Sequence, residues 1–285
     1  MHHADKKIGF IGQGWIGRHY ADDFETRGYK VVRYALEPEY VNNKVALRKC
    51  VIVFVAVPTP TTPTGFSYSA VEDAMTNLAP GTIAVIKSTL LPGTTRKLQA
   101  KFPELIVMHS PEFLVEKTAA YDAAHPARNL IGVTEKTPAA LEAAKTVLSV
   151  LPPAPYSDII LAEEAELVKY AGNCFLMTKV LFMNLFHDYT MAHGANWESV
   201  RSALVADTRI GASHTNPIHQ AGRGAGGHCF IKDFEAWRQD FKSHLPDDAN
   251  GLAVIEAIIV KNIELLTVSE KDIDLLQGVY GELAV

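Results

Sequence analysis

Short runs of apolar residues, each ended by a polar turn, fill the first half of the chain. Short runs rich in β-branched side chains are typical of strands that are buried on both faces of a parallel sheet. Helical stretches lie between several of these runs, so the alternation predicts an α/β fold with a doubly wound parallel sheet. The runs occur at residues 8–11, 29–34, 50–57, 81–88, 105–110 and 128–133.

The pattern changes after the prolines of PPAP (152–155). Residues 162–193 contain no proline and keep a helical periodicity, which predicts one long helix of about 45 Å. We expect a second helix from near Asn196 and a further apolar helix over roughly 250–267. Because prolines interrupt helices, PPAP is the best candidate for a domain boundary.

The first strand and the first helix are joined by a glycine motif. Gly12, Gly14 and Gly17 form G-x-G-x-x-G between the apolar run 8–11 and a helical stretch that reaches Arg27. In this context, the glycines allow a tight turn and bring a pyrophosphate close to the helix N-terminus. We therefore expect a Rossmann-like, dinucleotide-binding domain over residues 1–155, followed by an all-helical domain with one long central helix over 156–285.

Composition narrows the functional classes. The chain has 285 residues, a net charge of −5 and 48% hydrophobic residues, as in ordinary globular proteins, and it gives no reason to expect nucleic acid or a membrane as a partner. Three cysteines do not suggest a disulfide framework, so a cytoplasmic location is expected. The histidines are scattered without HExxH or CxxC, and we predict no metal site.

The segment GRGAGGHCFIKDF (222–234) places a cysteine directly after a glycine-rich stretch. Cys229 could be a nucleophile, or a small buried residue after a turn. Asp233 follows Cys229 by four residues, and Lys169 and Asn173 have the same spacing on the long helix, so each pair shares a helix face. A lysine and an amide could polarise a substrate oxygen, but spacing alone also fits a solvated lysine beside an ordinary polar neighbour.

Other polar residues stand at strand ends or in loops. Thr89 ends the sequence KST, Glu112 and Glu116 bracket the loop after VMHS, and Arg209 lies in ADTRIG. The glutamates could supply a base or could simply begin a helix, where acidic residues favour the dipole. Arg209 could bind an anion. Each of these observations is weak by itself.

The order of the motifs carries more information. GQGWIG, VPTPTTP, KSTLLPGTT, SPEFLVEKTAAYD, ELVKYAGN, DTRIG and GRGAGGHCFIKD follow one another between about residue 7 and residue 240. This order resembles the UDP-glucose/GDP-mannose dehydrogenase family of NAD-dependent nucleotide-sugar 6-dehydrogenases. The glycine-rich loop that leads to the cysteine and the PEF motif are the most specific parts of the resemblance.

The resemblance implies roles for individual residues. The implied catalytic residues are Cys229, Lys169, Asn173, Asp233, Glu116 and Thr89. The implied cofactor-binding residues are Gly12, Gly14, Trp15, Ile16, Gly17, Glu37, Pro58, Thr59, Thr89 and Lys232. The implied substrate-binding residues are Glu112, Phe113, Leu114, Lys169, Asn173, Arg209, Gly222, Gly226 and Gly227.

The resemblance also implies a reaction and a cofactor. NAD would accept two hydrides while a primary alcohol of a nucleotide sugar or related polyol becomes a carboxylate, through a thiohemiacetal and a thioester on Cys229. Ala35 stands where an acidic residue usually binds the ribose hydroxyls, so Glu37 could substitute and NADP is not excluded. The segment between the second strand and VIVFVAVPTP is short, so we expect the loss of a helix or strand there. The family's C-terminal nucleotide-binding domain is expected to be absent, which leaves the substrate unidentified.

Two other functions remain open. A two-electron β-hydroxyacid-type dehydrogenase also combines a Rossmann domain with a helical domain that carries Lys-x-x-x-Asn, but the cysteine after the glycine loop argues against it. A non-catalytic cofactor-binding paralogue is the other alternative. For either enzyme, we expect a homodimer built on the long helix, because apolar residues such as Leu176, Val180, Met183 and Phe186 are too many for one small domain to cover.

Overall fold

The structure is a computed structural model that describes residues 7–220 and 222–282. Its strands are β1 (Lys7–Ile11), β2 (Lys30–Tyr34), β3 (Ile52–Val55), β4 (Thr61–Thr62), β5 (Gly65–Phe66), β6 (Ile83–Ile86), β7 (Ile106–His109), β8 (Arg128–Val133), β9 (Tyr156–Leu161), β10 (Ile218–His219) and β11 (Gly222–Arg223). Its α-helices are α1 (Trp15–Thr26), α2 (Lys44–Leu47), α3 (Ser69–Met75), α4 (Thr94–Lys101), α5 (Ala119–Ala124), α6 (Pro138–Leu148), α7 (Ala162–Ala192), α8 (Trp197–Val205), α9 (Gly227–His244), α10 (Ala249–Val268) and α11 (Ile273–Tyr280).

The chain divides into two compact units. The first comprises residues up to 60 together with 67–169, and the second comprises 61–66 together with the residues from 170 onward. The division between them falls between Lys169 and Tyr170, within α7.

The first unit contains a seven-stranded sheet in the order β2-β1-β3-β6-β7-β8-β9. Adjacent strands pair in parallel, except that β7 and β8 are antiparallel. The expected α/β fold with a Rossmann-like, mostly parallel sheet is therefore confirmed. The six predicted strands are all present, and each starts or ends within three residues of the expected bounds.

An aromatic cluster anchors α1 to the start of this sheet. The ring of Phe10 on β1 stacks on that of Phe54 on β3 with a centroid distance of 5.0 Å, and Phe24 on α1 meets Phe10 edge-on at 5.2 Å. All three rings are essentially inaccessible to water. Burying such rings is worth a few kcal/mol each, so this contact sets the direction in which α1 leaves the glycine turn.

One feature of the first unit differs from expectation, and another agrees with it. Residues 156–161, assigned to the helical domain, form β9 and extend the sheet by pairing with β8. The boundary therefore lies later than PPAP, because the apolar half of YSDIIL completes a strand. The segment between β2 and β3 holds only a 3₁₀ turn at Val41–Asn43 and the four-residue α2, as the short sequence there led us to expect.

The second unit is mainly helical. The predicted long helix is confirmed as α7, and the helices expected near Asn196 and over 250–267 are α8 and α10. The side chain of Asn196 caps α8 by accepting from the Ser199 N–H. The hairpin β4–β5 packs against α9, and α11 buries Leu276 and Val279 against Ile231 and Leu266.

Within the described residues, no helix combines the length and the apolar character that a membrane crossing requires.

Candidate active site

The glycine turn after β1 has the shape that a dinucleotide pyrophosphate needs. Gly12 has a φ of +89°, and a Cβ on Gly17 would stand 1.9 Å from the Gly12 carbonyl oxygen, so neither position accepts a side chain. Gly14 has nothing within 4 Å of a Cβ position, and as the N-cap of α1 it supplies no capping side chain. The first N–H groups of α1 and the open space at Gly14 therefore fit a bound phosphate group.

The residues beside this turn divide between core and surface. Trp15 is half exposed, whereas Ile16 packs against the core of the first unit, so Ile16 supports the turn with its side chain and offers a ligand only its backbone. After β2, Ala35 is buried and Glu37 is exposed. No acidic side chain stands directly at the end of β2, and the substitution of Glu37 for the usual ribose ligand stays a prediction.

The loops that follow β3 and β6 are tied to each other. The Thr59 hydroxyl donates to the Thr89 carbonyl over 2.8 Å, and the Ser88 hydroxyl bridges the N–H and carbonyl of Val57 at 3.0 and 2.7 Å. Pro58 lies exposed between these contacts. The expected cofactor-side residues Pro58, Thr59 and Thr89 thus share one edge of the sheet, where ligands of doubly wound folds bind.

A buried ion pair follows β7. The Lys169 ammonium donates to Glu112 Oε1 at 2.7 Å and to the Glu112 carbonyl at 2.8 Å, and both residues are 5% exposed. The second carboxylate oxygen of Glu112 accepts from the Leu114 N–H at 2.8 Å. Two of the implied substrate-binding residues, one of which is also an implied catalytic residue, are therefore in direct contact.

The remaining residues of the PEF loop have different surroundings. The Arg128 guanidinium lies 3.7 Å from the centroid of the Phe113 ring, and the Lys169 ammonium lies 5.8 Å from it. Leu114 packs against the core of the first unit. Glu116 is exposed at the start of a 3₁₀ turn, and its catalytic role stays a prediction.

Sequence reasoning missed a buried cluster next to this loop. Lys87 is 3% exposed, donates to the Ser110 hydroxyl at 3.0 Å and lies 4.4 Å from the centroid of the Tyr20 ring. Burial lowers the pKa of Lys87 to about 7, with the Lys169 charge adding to this effect and Glu112 opposing it. Burial, aided by the Lys87 charge, also lowers the pKa of the neighbouring His109 to about 3, which leaves the imidazole neutral. The lysine that ends the apolar run AVIK was the available signal.

In the second unit, α7 and α9 bring together the other predicted polar residues. The Asn173 amide donates to one oxygen of the buried Asp233 carboxylate at 2.7 Å, and the Lys232 ammonium forms an ion pair with the other oxygen. Asp233 is 1% exposed, so these partners compensate the loss of water around its charge. The carboxylate in turn fixes the orientation of the Asn173 amide.

Cys229 differs from the other two cysteines in its environment. It is exposed and is the third residue of α9, where the N–H groups of the first helical turn favour negative charge. Burial raises the pKa of Cys50 to about 11, and burial together with the nearby Asp233 charge raises the pKa of Cys174 even further. Both of these cysteines are buried.

The other predicted substrate residues of this unit have partners within the chain. Arg209 is largely exposed and pairs with Asp207 at 2.6 Å. A Cβ on Gly222 would stand 2.6 Å from that of Ser269, and a Cβ on Gly226 would collide with Asp272 Oδ2. Gly227 has a φ of +83° and opens α9. Their contacts with a ligand stay predictions.

Comparison with known proteins assigns the family. Residues 39–149 match the NAD binding domain of the UDP-glucose/GDP-mannose dehydrogenase family, and residues 163–262 match its central domain. The chain belongs to this family. Its NAD-binding domain indicates NAD as the cofactor, in agreement with the glycine turn.

Individual relatives show the extent of the similarity. The UDP-glucose 6-dehydrogenase of Rickettsia prowazekii is 31% identical over 219 residues, which are 74% of this chain and 48% of that protein. The structure of a UDP-glucose dehydrogenase from Pyrobaculum islandicum aligns with a TM-score of 0.77 and 28% identity, covering 91% of this chain and 68% of that chain. The 3-hydroxyisobutyrate dehydrogenase of Mycobacterium tuberculosis shares the fold with a TM-score of 0.71 at 17% identity, covering 96% and 98% of the two chains. The chain spans about half the length of the curated relatives it matches.

The glycine turn allows a matched test of cofactor binding. We expect Gly14→Val to fold with a nearly unchanged melting temperature but to lose NAD binding, because the new side chain enters the space at the start of α1. Gly17→Val should instead destabilise the protein by several kcal/mol, since its Cβ meets the Gly12 carbonyl. Isothermal calorimetry with NAD and thermal unfolding separate the two effects. An unchanged NAD affinity in Gly14→Val would contradict the assignment of this turn.

The buried Lys87 predicts a pH dependence of stability. Its pKa falls from 10.5 in the unfolded chain to about 7 in the folded protein, so the unfolded chain binds more protons between these pH values. The wild type should therefore gain stability relative to Lys87→Met as the pH rises from 7 to 10, by at most about 1.4 kcal/mol per pH unit. Urea unfolding of both proteins at several pH values measures this difference. Lys97→Met, which removes an exposed lysine of α4, is the control and should show a flat difference.

Proposed function

We propose that this protein is an NAD-dependent dehydrogenase that oxidises a primary alcohol of a nucleotide sugar or related polyol to a carboxylate. The observation that carries the proposal is the arrangement at the start of α9: an exposed Cys229 is followed one turn later by Asp233, which holds the Asn173 amide. Family membership, the NAD-binding glycine turn and the names of the relatives support it.

The proposed role of Cys229 is covalent. After the alcohol has become an aldehyde, the thiolate attacks the carbonyl carbon, a C–S bond forms and the carbonyl oxygen becomes the oxygen of a thiohemiacetal. Loss of the remaining hydrogen of that carbon, as a hydride, gives a thioester. Water then attacks the same carbon, the C–S bond breaks, and the thiolate leaves as the carboxylate is released. Each hydride would need its own NAD⁺ as acceptor, so two molecules of NAD⁺ would be reduced in turn for each substrate molecule.

The other predicted catalytic residues have supporting roles in this proposal. The amide of Asn173 and the ammonium of Lys169 stabilise the negative oxygen that develops when the carbonyl is attacked. Asp233 orients Asn173 and, with Glu116 or Thr89, orients or activates water. A reducing compartment such as the cytoplasm would keep Cys229 in the thiol form that this chemistry requires.

The reactivity of the three thiols gives the first test. We expect iodoacetamide at neutral pH to modify Cys229 well before Cys50 or Cys174, because the last two are buried with raised pKa values. Mass spectrometry of tryptic peptides reads the order of modification, and the substrate should protect Cys229. Modification of Cys50 or Cys174 at the same rate would contradict a distinct role for Cys229.

The stoichiometry of NADH separates the proposed reaction from its alternatives. The wild type should form two NADH per substrate molecule. Cys229→Ala should bind NAD normally but lose carboxylate formation by roughly three orders of magnitude or more, because no C–S bond can form. Cys229→Ser keeps a weak nucleophile and should turn over slowly. One NADH per substrate in the wild type and in Cys229→Ala would indicate the two-electron β-hydroxyacid-type reaction, and no turnover with any nucleotide sugar would favour the non-catalytic paralogue.

We also propose a homodimer through α7. Of the apolar residues that suggested one, Val180 and Met183 are buried within the chain, so they are not available to a partner. A different set of α7 residues is exposed. These residues recur at intervals of three and four, as in helices that pair along one face. This α7 stripe consists of Ala171, Phe175, Thr178, Phe182, Leu185 and Tyr189. Phe175 is 66% exposed and Tyr189 is 60% exposed, which is unusual for aromatic residues without a partner surface.

Introducing a charged residue into the α7 stripe tests this interface. Phe182→Glu should convert the dimer to a monomer in multi-angle light scattering, because a buried carboxylate would face an apolar partner surface. Val254→Glu alters a similarly exposed apolar residue of α10 and should leave the dimer intact. A wild-type protein that is already monomeric at working concentration and fully active contradicts the proposal.

A further inference from the structure

The glycine-rich loop before Cys229 packs closely against a later part of the same unit. Every second residue of the loop is a glycine, and each faces the end of α10 or the turn after it. A Cβ on Gly222 would stand 2.6 Å from the Ser269 Cβ, one on Gly224 would stand 3.2 Å from Asn262 Oδ1, and one on Gly226 would stand 1.9 Å from Asp272 Oδ2. Side chains at Gly222 and Gly226 would therefore clash with the chain itself, and the φ of +86° at Gly224 disfavours a side chain there.

The alternate N–H groups of the loop are bound by side chains from the same region. The Arg223 N–H donates to Ser269 Oγ at 3.0 Å, the Ala225 N–H to Asn262 Oδ1 at 2.7 Å, and the Gly227 N–H to Asp272 Oδ2 at 2.8 Å. The Lys271 ammonium adds a bond to the Gly224 carbonyl at 3.1 Å. We call residues 269–272 the clasp; together with Asn262 of α10 they hold the loop from Arg223 to Gly227.

The clasp adopts a strained backbone. Glu270 and Asp272 have φ values of +51° and +55°, in the left-handed region that residues other than glycine rarely occupy. Such a backbone conformation is unfavourable and persists only where its surroundings demand it. Here the left-handed turn delivers the side chains of Lys271 and Asp272 to the loop.

The carboxylate of Asp272 reaches the start of α9, the helix that carries Cys229. Gly227, whose N–H it accepts, is the first residue of α9 and Cys229 is the third, so the carboxylate lies within about one helical turn of the cysteine along the axis. Helical side chains also lean toward the N-terminus. Other charged or titratable groups lie on the elements around this helix start: His219, Arg223, His228, Lys232, Asp233, Lys271 and Asp274.

Two electrostatic effects therefore oppose each other at Cys229. The N–H groups of the first turn of α9 favour a thiolate, whereas the carboxylate of Asp272 disfavours a second negative charge nearby. The interaction between Asp272 and Gly227 at the same time fixes where α9 begins, and thus where the cysteine stands.

We propose that Asp272 is a positioning residue for Cys229: it fixes the start of α9 and restrains the reactivity of the thiol. The proposal rests on the role of Cys229 as the nucleophile, but it is tested on the thiol itself. Asp272→Asn keeps an oxygen that can accept from the Gly227 N–H and removes the charge. Asp272→Ala removes both, so comparing the two variants separates positioning from charge.

The experiment measures the rate of Cys229 alkylation by iodoacetamide from pH 5 to pH 9, by peptide mass spectrometry, in the full chain without substrate. Asp272→Asn should retain the wild-type melting temperature and react roughly three- to tenfold faster near pH 7, with its pH profile moved to lower pH. Asp272→Ala should also react faster, with a lower melting temperature. Asp248→Asn removes a carboxylate that caps α10 by accepting from the Gly251 N–H and should match the wild type.

The outcomes separate this proposal from the proposed function. An alkylation profile of Asp272→Asn that equals the wild type, or an equal shift in Asp248→Asn, overturns the role of Asp272. If the expected shift occurs and no nucleotide sugar is oxidised, the role of Asp272 holds and the proposed function is the part that fails.

Discussion

The ion pair between Lys169 and Glu112 is the interaction on which the candidate site of the first unit depends. Both groups are almost fully buried, and such a pair compensates its desolvation only when further hydrogen bonds complete it. Here the Glu112 carbonyl and the Leu114 N–H provide them. Removing either partner would leave an uncompensated charge inside the protein. The pair therefore fixes the loop after β7 to the first turns of α7, and the adjacent contact between Lys87 and Ser110 fixes the beginning of the same loop.

Local patterns in the sequence were sufficient for the elements that are determined by nearby residues. The proline-free periodicity of α7 and the apolar runs of β1 and β3 predicted those elements, because the spacing of apolar residues indicates which faces are buried. β9 was missed because its apolar half is short and becomes a strand only by pairing with β8. The hairpin β4–β5 lies in the polar segment TTPTGF, where the chain shows no strand pattern. The burial of Lys87 depends on contacts with Ser110 and Tyr20, which are distant in the sequence, so the lysine that ends the apolar run AVIK indicated it only weakly.

The two glycine-rich segments show why a glycine motif in the sequence does not by itself identify the role of the glycines. In the turn after β1, Gly12 lies against the backbone of Ala56 and Gly17 against that of Gly12, whereas Gly14 stays open toward a ligand. In the loop before α9, alternate glycines accommodate Ser269, Asn262 and Asp272 of the same chain. The first segment agrees with its expected role in holding a pyrophosphate. In the second segment, at least part of the need for glycine comes from internal packing. The motif alone does not show this difference, because the residues that contact the loop lie about 40 positions later in the chain.

The order of the sheet has a consequence for association between chains. β2 and β9 form the two edges, and an edge strand exposes a row of N–H and C=O groups that can pair with another molecule. β2 carries Lys30 and Arg33, and β9 carries Asp158 within YSDIIL. A strand that is added at either edge would have to accommodate these charges beside its own backbone. The charges therefore act as gatekeepers against fibre-like growth of an open sheet.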